Sequence, residues 1–236
     1  LPSMLDILAR NSAYHNKSAK LYEMAKIYLP VEGQVLPNEP KILTLGAYGD
    51  GATFFSVKGE LEAIFTGLRI QKAQYTAEKE NPSYHPGRCA KVTIAGIDVG
   101  YVGQIHPLVA SNYGIDTEVY CAEIDFNKLF ELQLPEAVYT PLPKYPAVTR
   151  DLAVICDEAI TVAQVEEVIT AAAGKLLRDV ALFDIYRGTG IPEGKKSLAF
   201  SLSLRADDRT LTDIDSENIM TKILAALEEK LQITRR

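Results

Sequence analysis

In the run LFDIYRG, residues 182–188, two side chains that can recognise a flat polar ligand stand at a fixed spacing. Asp184 offers a carboxylate that accepts two hydrogen bonds, and Tyr186, two positions on, offers a flat aromatic ring. Residues i and i+2 of a strand share a face. That period puts Leu182, Asp184 and Tyr186 on one side and Phe183 and Ile185 on the other. An aromatic ring beside an acceptor can stack on an unpaired nucleobase and bond to its edge. Guanine suits the pair best, because its N1–H and its N2 amino group both reach one carboxylate. Cytosine offers a single comparable donor on that edge, and uracil only its N3–H.

A strand that presents this pair needs neighbours that leave the face uncovered. The next apolar run, Ser197–Leu204, alternates clearly. Leu198, Phe200, Leu202 and Leu204 form an apolar face, and Ser197, Ala199, Ser201 and Ser203 form a small, polar one. Around these two strands lie the parts of a β-α-β-β-α-β unit. Residues 150–156 read as its first strand. Thr161 opens a helix with Gln164 three residues on, the spacing of a capping box. Val165, Val168, Ile169 and Ala172 give that helix its apolar face, and Gly174 ends it. Residues 179–187 and 197–204 are the next two strands, joined by GTGIPEGKK. Thr212, with Asp215 three residues on, caps a second helix along which Ile219, Ile223, Leu227 and Leu231 recur every four residues. Residues 232–236 can add an edge strand. In such a unit both helices cover one face of the sheet, so the small, polar face is expected to stand open as a platform.

The same residues allow plainer roles. Asp184 could pair with Lys195 or Lys196 across the hairpin, and Tyr186 could pack over Leu182. Arg235 and Arg236 could form a solvated tail, and residues 188–194 read as a flexible hairpin loop in preference to a phosphate-binding one.

Residues 1–134 read as mixed α and β with an antiparallel leaning. Helices are expected over 2–10, 56–70 and 107–112, and strands over 19–29, 41–47, 89–95, 98–105 and 118–126. A tight turn at Gly96-Ile97 joins the middle pair. Pro135, Pro141, Pro143 and Pro146 then cluster, and proline removes ladder donors. This stretch reads as a linker with a boundary near Thr140, giving domains 1–140 and 141–236 in an α+β chain.

Composition narrows the function classes. A net charge of −6 over 236 residues argues against holding nucleic acid by bulk electrostatics, though local readout stays open. No run of about 18 apolar residues is present, so no membrane span is expected. The first residues have no basic flank followed by an apolar run, so they are not expected to be a signal peptide, and the absence of an initial Met suggests a piece of a longer protein. Cys89, Cys121 and Cys156 are far apart and fit buried thiols in a reducing compartment. His15, His85 and His106 are equally scattered, so no metal site is assigned. His85 and His106, each followed by Pro, are read as shaping turns.

Residues 144–236, through RDLA, FDIYRG, PEGKKSLAF and RTLTD, closely resemble the C-terminal anticodon-binding domain of the bacterial phenylalanyl-tRNA synthetase beta-subunit family. LPSMLDILARN, LYEMAKIY, FFSVKGELEAI, HPGR and GYVGQIHP resemble that family's synthetase-like domain. The resemblance implies a partial class II synthetase-like domain followed by a ferredoxin-like one. The first is expected to be inactive, since neither an Arg-bearing second motif nor a glycine-rich, arginine-terminated third motif is found. It also implies a cytoplasmic α2β2 heterotetramer in which the alpha subunit carries catalysis with ATP and Mg, and no cofactor or catalytic residue in this chain. Residues 1–134 would pack against alpha, and 144–236 would reach the tRNA(Phe) anticodon, whose first base is guanine. Positions matching Ala153, Asp184, Tyr186, Ser197 and Arg235 line the family's pocket for that base. Ala153 would leave room for the ring, Ser197 would supply a hydroxyl, and Arg235 would meet phosphate or base. Two other classes compete: a small-molecule regulatory module, because ferredoxin-like domains also bind amino acids, and a scaffold that only joins subunits.

Overall fold

The computed structural model describes residues 1–139 and 141–236. They divide into two units, Leu1–Ala137 and Val138–Arg236. The boundary expected near Thr140 falls on a residue outside the described ones.

The first unit is one antiparallel six-stranded sheet with helices on both faces. Its elements are α1 (Pro2–Ala13), β1 (Ala19–Lys26), β2 (Lys41–Tyr48), α2 (Phe54–Gly67), β3 (Gln74–Ala77), β4 (Tyr84–Ile94), β5 (Ile97–Ile105), α3 (Pro107–Asn112), β6 (Val119–Asp125) and α4 (Phe126–Glu131). The strand order is β1-β2-β6-β5-β4-β3. Val57, Leu61 and Phe65 of α2 bury against Leu45, Val92, Val102 and Ala122. Met4, Leu5 and Leu8 of α1 bury on the other face against Tyr48, Tyr84, Cys89 and Cys121. The β4–β5 turn sits one residue earlier than the spacing suggests. Ala95 and Gly96, both at positive φ, are its central pair, the left-handed combination that matches strand twist in a two-residue hairpin. No helix is long and apolar enough to cross a membrane among the described residues.

The second unit runs β7 (Val148–Asp157), α5 (Val162–Ala173), a 3-10 turn (Gly174–Leu176), β8 (Leu177–Tyr186), β9 (Lys195–Leu204), α6 (Asp213–Leu231) and β10 (Thr234–Arg235). The sheet is antiparallel in the order β10-β7-β9-β8, so its fourth strand lies beside its first and its third beside its second. This is the ferredoxin-like β-α-β-β-α-β arrangement. Both helices begin with a capping box, Thr161 with Gln164 and Thr212 with Asp215; each cap stabilises its helix by about 1 kcal/mol. Val165, Val168 and Ile169 of α5 and Ile219, Ile223 and Leu227 of α6 bury against Leu152, Val154, Leu198, Phe200, Leu202 and Leu204. Arg150 ties α6 to the sheet, donating to Asp213 at 2.7 Å and to the Ser216 hydroxyl at 2.9 Å. The RDLA and RTLTD pieces thus meet in space and hold the fold.

Candidate nucleic-acid interface

Register decides which side chains share the helix-free face. Antiparallel partners lie on the same side of a sheet. On β7 and β9 the helix-covered pairs are Leu152–Phe200 and Val154–Leu198, and the pairs between them face away: Asp151–Ser201, Ala153–Ala199 and Ile155–Ser197. On β8, Asp184 stands opposite Ala199 and Tyr186 opposite Ser197. Asp184 and Tyr186 therefore stand on the helix-free face together, beside a floor of Ala153, Ala199 and Ser197.

Leu182 does not join them, contrary to the plain alternation. It pairs with Phe200 on the covered face. The ladder shifts by one residue between Leu182 and Asp184, a β-bulge with Phe183 as the extra residue. The bulge turns Asp184 and Tyr186 outward while leaving Leu182 in the core. It also removes the reading in which Tyr186 packs over Leu182.

Local contacts fix the ring. Tyr186 is 37% exposed. Its hydroxyl donates to the Thr189 carbonyl at 3.4 Å. A Cβ built at Gly188 would lie 2.9 Å from that hydroxyl oxygen, so the loop backbone crosses against the phenol tip. The Arg236 guanidinium carbon lies 5.2 Å from the ring centroid, a cation–π contact. Ser197 is only 2% exposed although it belongs to the helix-free face, with Tyr186 directly opposite it in the ladder.

The lysines across the hairpin are engaged elsewhere. Lys195 lies 3.6 Å from Asp157, and Lys196 donates to the Glu158 backbone carbonyl at 2.9 Å.

Of the five residues singled out from the sequence, Ala153, Asp184, Tyr186 and Ser197 share the face. Arg235 does not. It pairs with Val154, a residue of the helix-covered side. Arg236, whose N–H bonds to the Ala153 carbonyl at 3.0 Å, is the terminal arginine that reaches the platform. Sequence reasoning missed it because the register of a two-residue edge strand leaves no pattern to read. Gly188, two residues beyond Tyr186, was legible as a loop residue but not as the surface against which the ring rests.

Elsewhere several polar groups bond one another locally. Arg88 donates to Gln104 at 2.7 Å and Glu118 at 2.8 Å, and the Tyr120 hydroxyl donates to Glu118 at 2.7 Å. The His85 ring accepts from the Gly87 N–H and the His106 ring from the Leu108 N–H, each closing a local turn. No group of three His, Cys, Asp or Glu side chains is placed to hold a metal ion among the described residues.

Two family profiles match the chain. The phenylalanyl tRNA synthetase beta chain CLM domain matches residues 1–126. The ferredoxin-fold anticodon binding domain matches residues 143–236. Among curated proteins, the phenylalanine–tRNA ligase beta subunit of Clostridium tetani is 42% identical over 232 residues, covering 98% of this chain and 29% of its own length. The Clostridium acetobutylicum subunit is 40% identical with the same coverage. That of Bacillus subtilis is 35% identical over 247 residues, covering all of this chain and 31% of its own length. The chain thus spans about three tenths of the length of the relatives it matches.

Proposed function

This chain belongs to the phenylalanyl-tRNA synthetase beta-chain family, and on that premise we propose that its second unit reads the tRNA(Phe) anticodon. The observation that carries the reading is the joint placement of Asp184 and Tyr186 on the helix-free face, beside a floor of Ala153, Ala199 and Ser197. Tyr186 stacks on the first anticodon base. Asp184 accepts from its N1–H and N2 amino group, which favours guanine. Ala153 and Ala199 leave room for the ring, next to Ser197, which Tyr186 faces across the ladder.

The first unit packs against the catalytic alpha subunit within an α2β2 assembly in the cytoplasm. Its edge strand β1 supports this role, pairing among the described residues with β2 alone and presenting exposed Tyr22 and Met24. ATP and Mg serve the alpha subunit in this reading, and this chain contributes recognition and assembly without catalysis.

The test is binding of the full 236-residue chain to an anticodon stem-loop RNA, with guanine or adenine as the first anticodon base. Guanine is expected to bind tighter, and Tyr186→Ala to remove a stacking contribution of about 1–3 kcal/mol and most of the preference. Equal binding of both RNAs by the wild-type chain, or a melting temperature that responds to free phenylalanine and not to RNA, would sink the reading.

A further inference from the structure

The Tyr186 ring rests on a loop, and the loop has its own fastening. Gly188 and Thr189, which touch the phenol, directly follow Arg187. The Arg187 guanidinium forks onto the Glu158 carboxylate, with Nε at 3.1 Å and 3.2 Å from its two oxygens and a second nitrogen at 2.5 Å. Glu158 lies just past the end of β7. Its own N–H bonds to the Gly194 carbonyl at 2.9 Å, at the far end of the same loop, and its carbonyl accepts from Lys196 at 2.9 Å. One residue thus grips both ends of loop 188–194 and bridges from β7 to β8 over the intervening β9.

We infer that Arg187 and Glu158 are positioning residues for the base platform: their clasp holds the loop that holds the Tyr186 ring. The inference rests on the reading that Tyr186 stacks on a base. Both partners are exposed, and an exposed pair contributes little to global stability. A bidentate fork fixes direction as well as distance. Its effect belongs in the ring's orientation, so it should appear in base preference and barely in the melting temperature.

The experiment measures the guanine-over-adenine affinity ratio of the full chain for anticodon stem-loop RNAs in Arg187→Glu, Glu158→Arg and the double exchange, with Tyr186→Ala alongside. The ratio cancels the change in non-specific phosphate attraction that either reversal brings. Each single reversal is expected to cut the ratio at least about fivefold, because a base not seated on the ring no longer presents its N1–H and N2 amino group to Asp184, and to move the melting temperature by less than about 3 °C. The double exchange is expected to restore the ratio to within about twofold. Glu158→Gln, which removes one charge without adding an opposed one, stands in if a reversal fails to fold, and is expected to lower the ratio too. Single variants that keep the wild-type ratio overturn the inference. So does a double exchange that stays as low as Arg187→Glu, because Arg187 would then be touching the RNA itself. If Tyr186→Ala leaves the ratio intact, the stacking reading fails and this inference falls with it. If Tyr186→Ala collapses the ratio while the clasp variants do not, only the inference falls.

Discussion

Deleting one residue from the middle of a strand normally turns every side chain beyond it to the wrong face. The bulge in β8 makes one position an exception. Phe183 is the unpaired residue between Leu182–Phe200 and Asp184–Ala199. Without it the ladder is regular: Leu182 stays inward, and Asp184 and Tyr186 stay outward. Phe183 is 60% exposed. Its removal therefore forfeits about two-fifths of the ~3 kcal/mol that full burial of a large apolar side chain provides, or about 1 kcal/mol. Deleting Ile185, two positions on, has no such escape. Either Asp184 moves to the covered side opposite Leu198, which is fully buried, or Tyr186 does. The first path places a carboxylate against apolar surface at a cost of roughly 1–3 kcal/mol, besides the lost Ile contacts. Both paths take one member of the pair off the platform. Hydrogen exchange of the β9 amides reads the stability term. About fivefold faster exchange is expected for the Phe183 deletion, and far more for the Ile185 deletion. RNA binding reads the geometry, with guanine preference kept in the first and lost in the second. If the Phe183 deletion costs as much as the Ile185 deletion, or loses guanine preference, the extra residue is not spare and the assignment of faces is wrong.

Two further outcomes follow from the electrostatics. The fork from Arg187 holds the Glu158 carboxyl below the usual 4.5. A depressed carboxylate contributes its stabilisation above the unfolded-state value and loses it as pH falls through the folded one. The clasp should thus stay intact from neutral pH to below 4.5 and open only as pH falls through the depressed folded value. An NMR titration of the Glu158 carboxyl carbon should show a midpoint under 4.5 that rises in Arg187→Met; an unchanged midpoint in that variant would contradict the fork. Burial pushes the Cys89 and Cys121 thiols up to about 12 and raises Cys156 as well. At pH 8 a thiol-reactive dye should leave all three untouched in the native chain and label three per chain in denaturant, and fast native labelling of any would contradict their burial.

How much of this was legible beforehand depended on whether a feature leaves a periodic trace. The capping spacings Thr161–Gln164 and Thr212–Asp215 are chemical signatures, and the structure forms both boxes. The alternation over 197–204 separates core from platform as it stands, because β9 is central and regular. β8 is a bulged edge strand, and the letters FDIY fit a regular strand equally well. Nothing in them says that the phase slips at Phe183. Arg235 and Arg236 differ only in register, which is set by pairing with β7 at a distance in sequence. Strand β3 has four residues and helix α4 has six, too few for a period to show. The strand expected to reach Leu29 ends at Lys26, yet Ile27 and Leu29 still bond to Pro40 and Asn38. The chain stays paired there while losing regular geometry before Pro30.

The charge on the platform constrains what it can do. Asp151, Asp157, Asp179 and Asp184 all lie on the helix-free face by register. Against them stand Lys195, already beside Asp157, and Arg236, drawn over the Tyr186 ring. Affinity for a nucleic acid comes mainly from neutralised phosphates and falls steeply with salt. This face repels phosphate more than it attracts it, so its contribution must come from stacking and base-edge hydrogen bonds, which depend weakly on salt. A surface of this kind can choose between bases but holds an RNA only weakly by itself. Under the proposed function, the phosphate contacts come from outside this face. The proposed function is thereby compatible with a net charge of −6. It also sets a sign for experiment: raising salt should weaken both RNAs together while leaving the guanine-over-adenine ratio nearly constant.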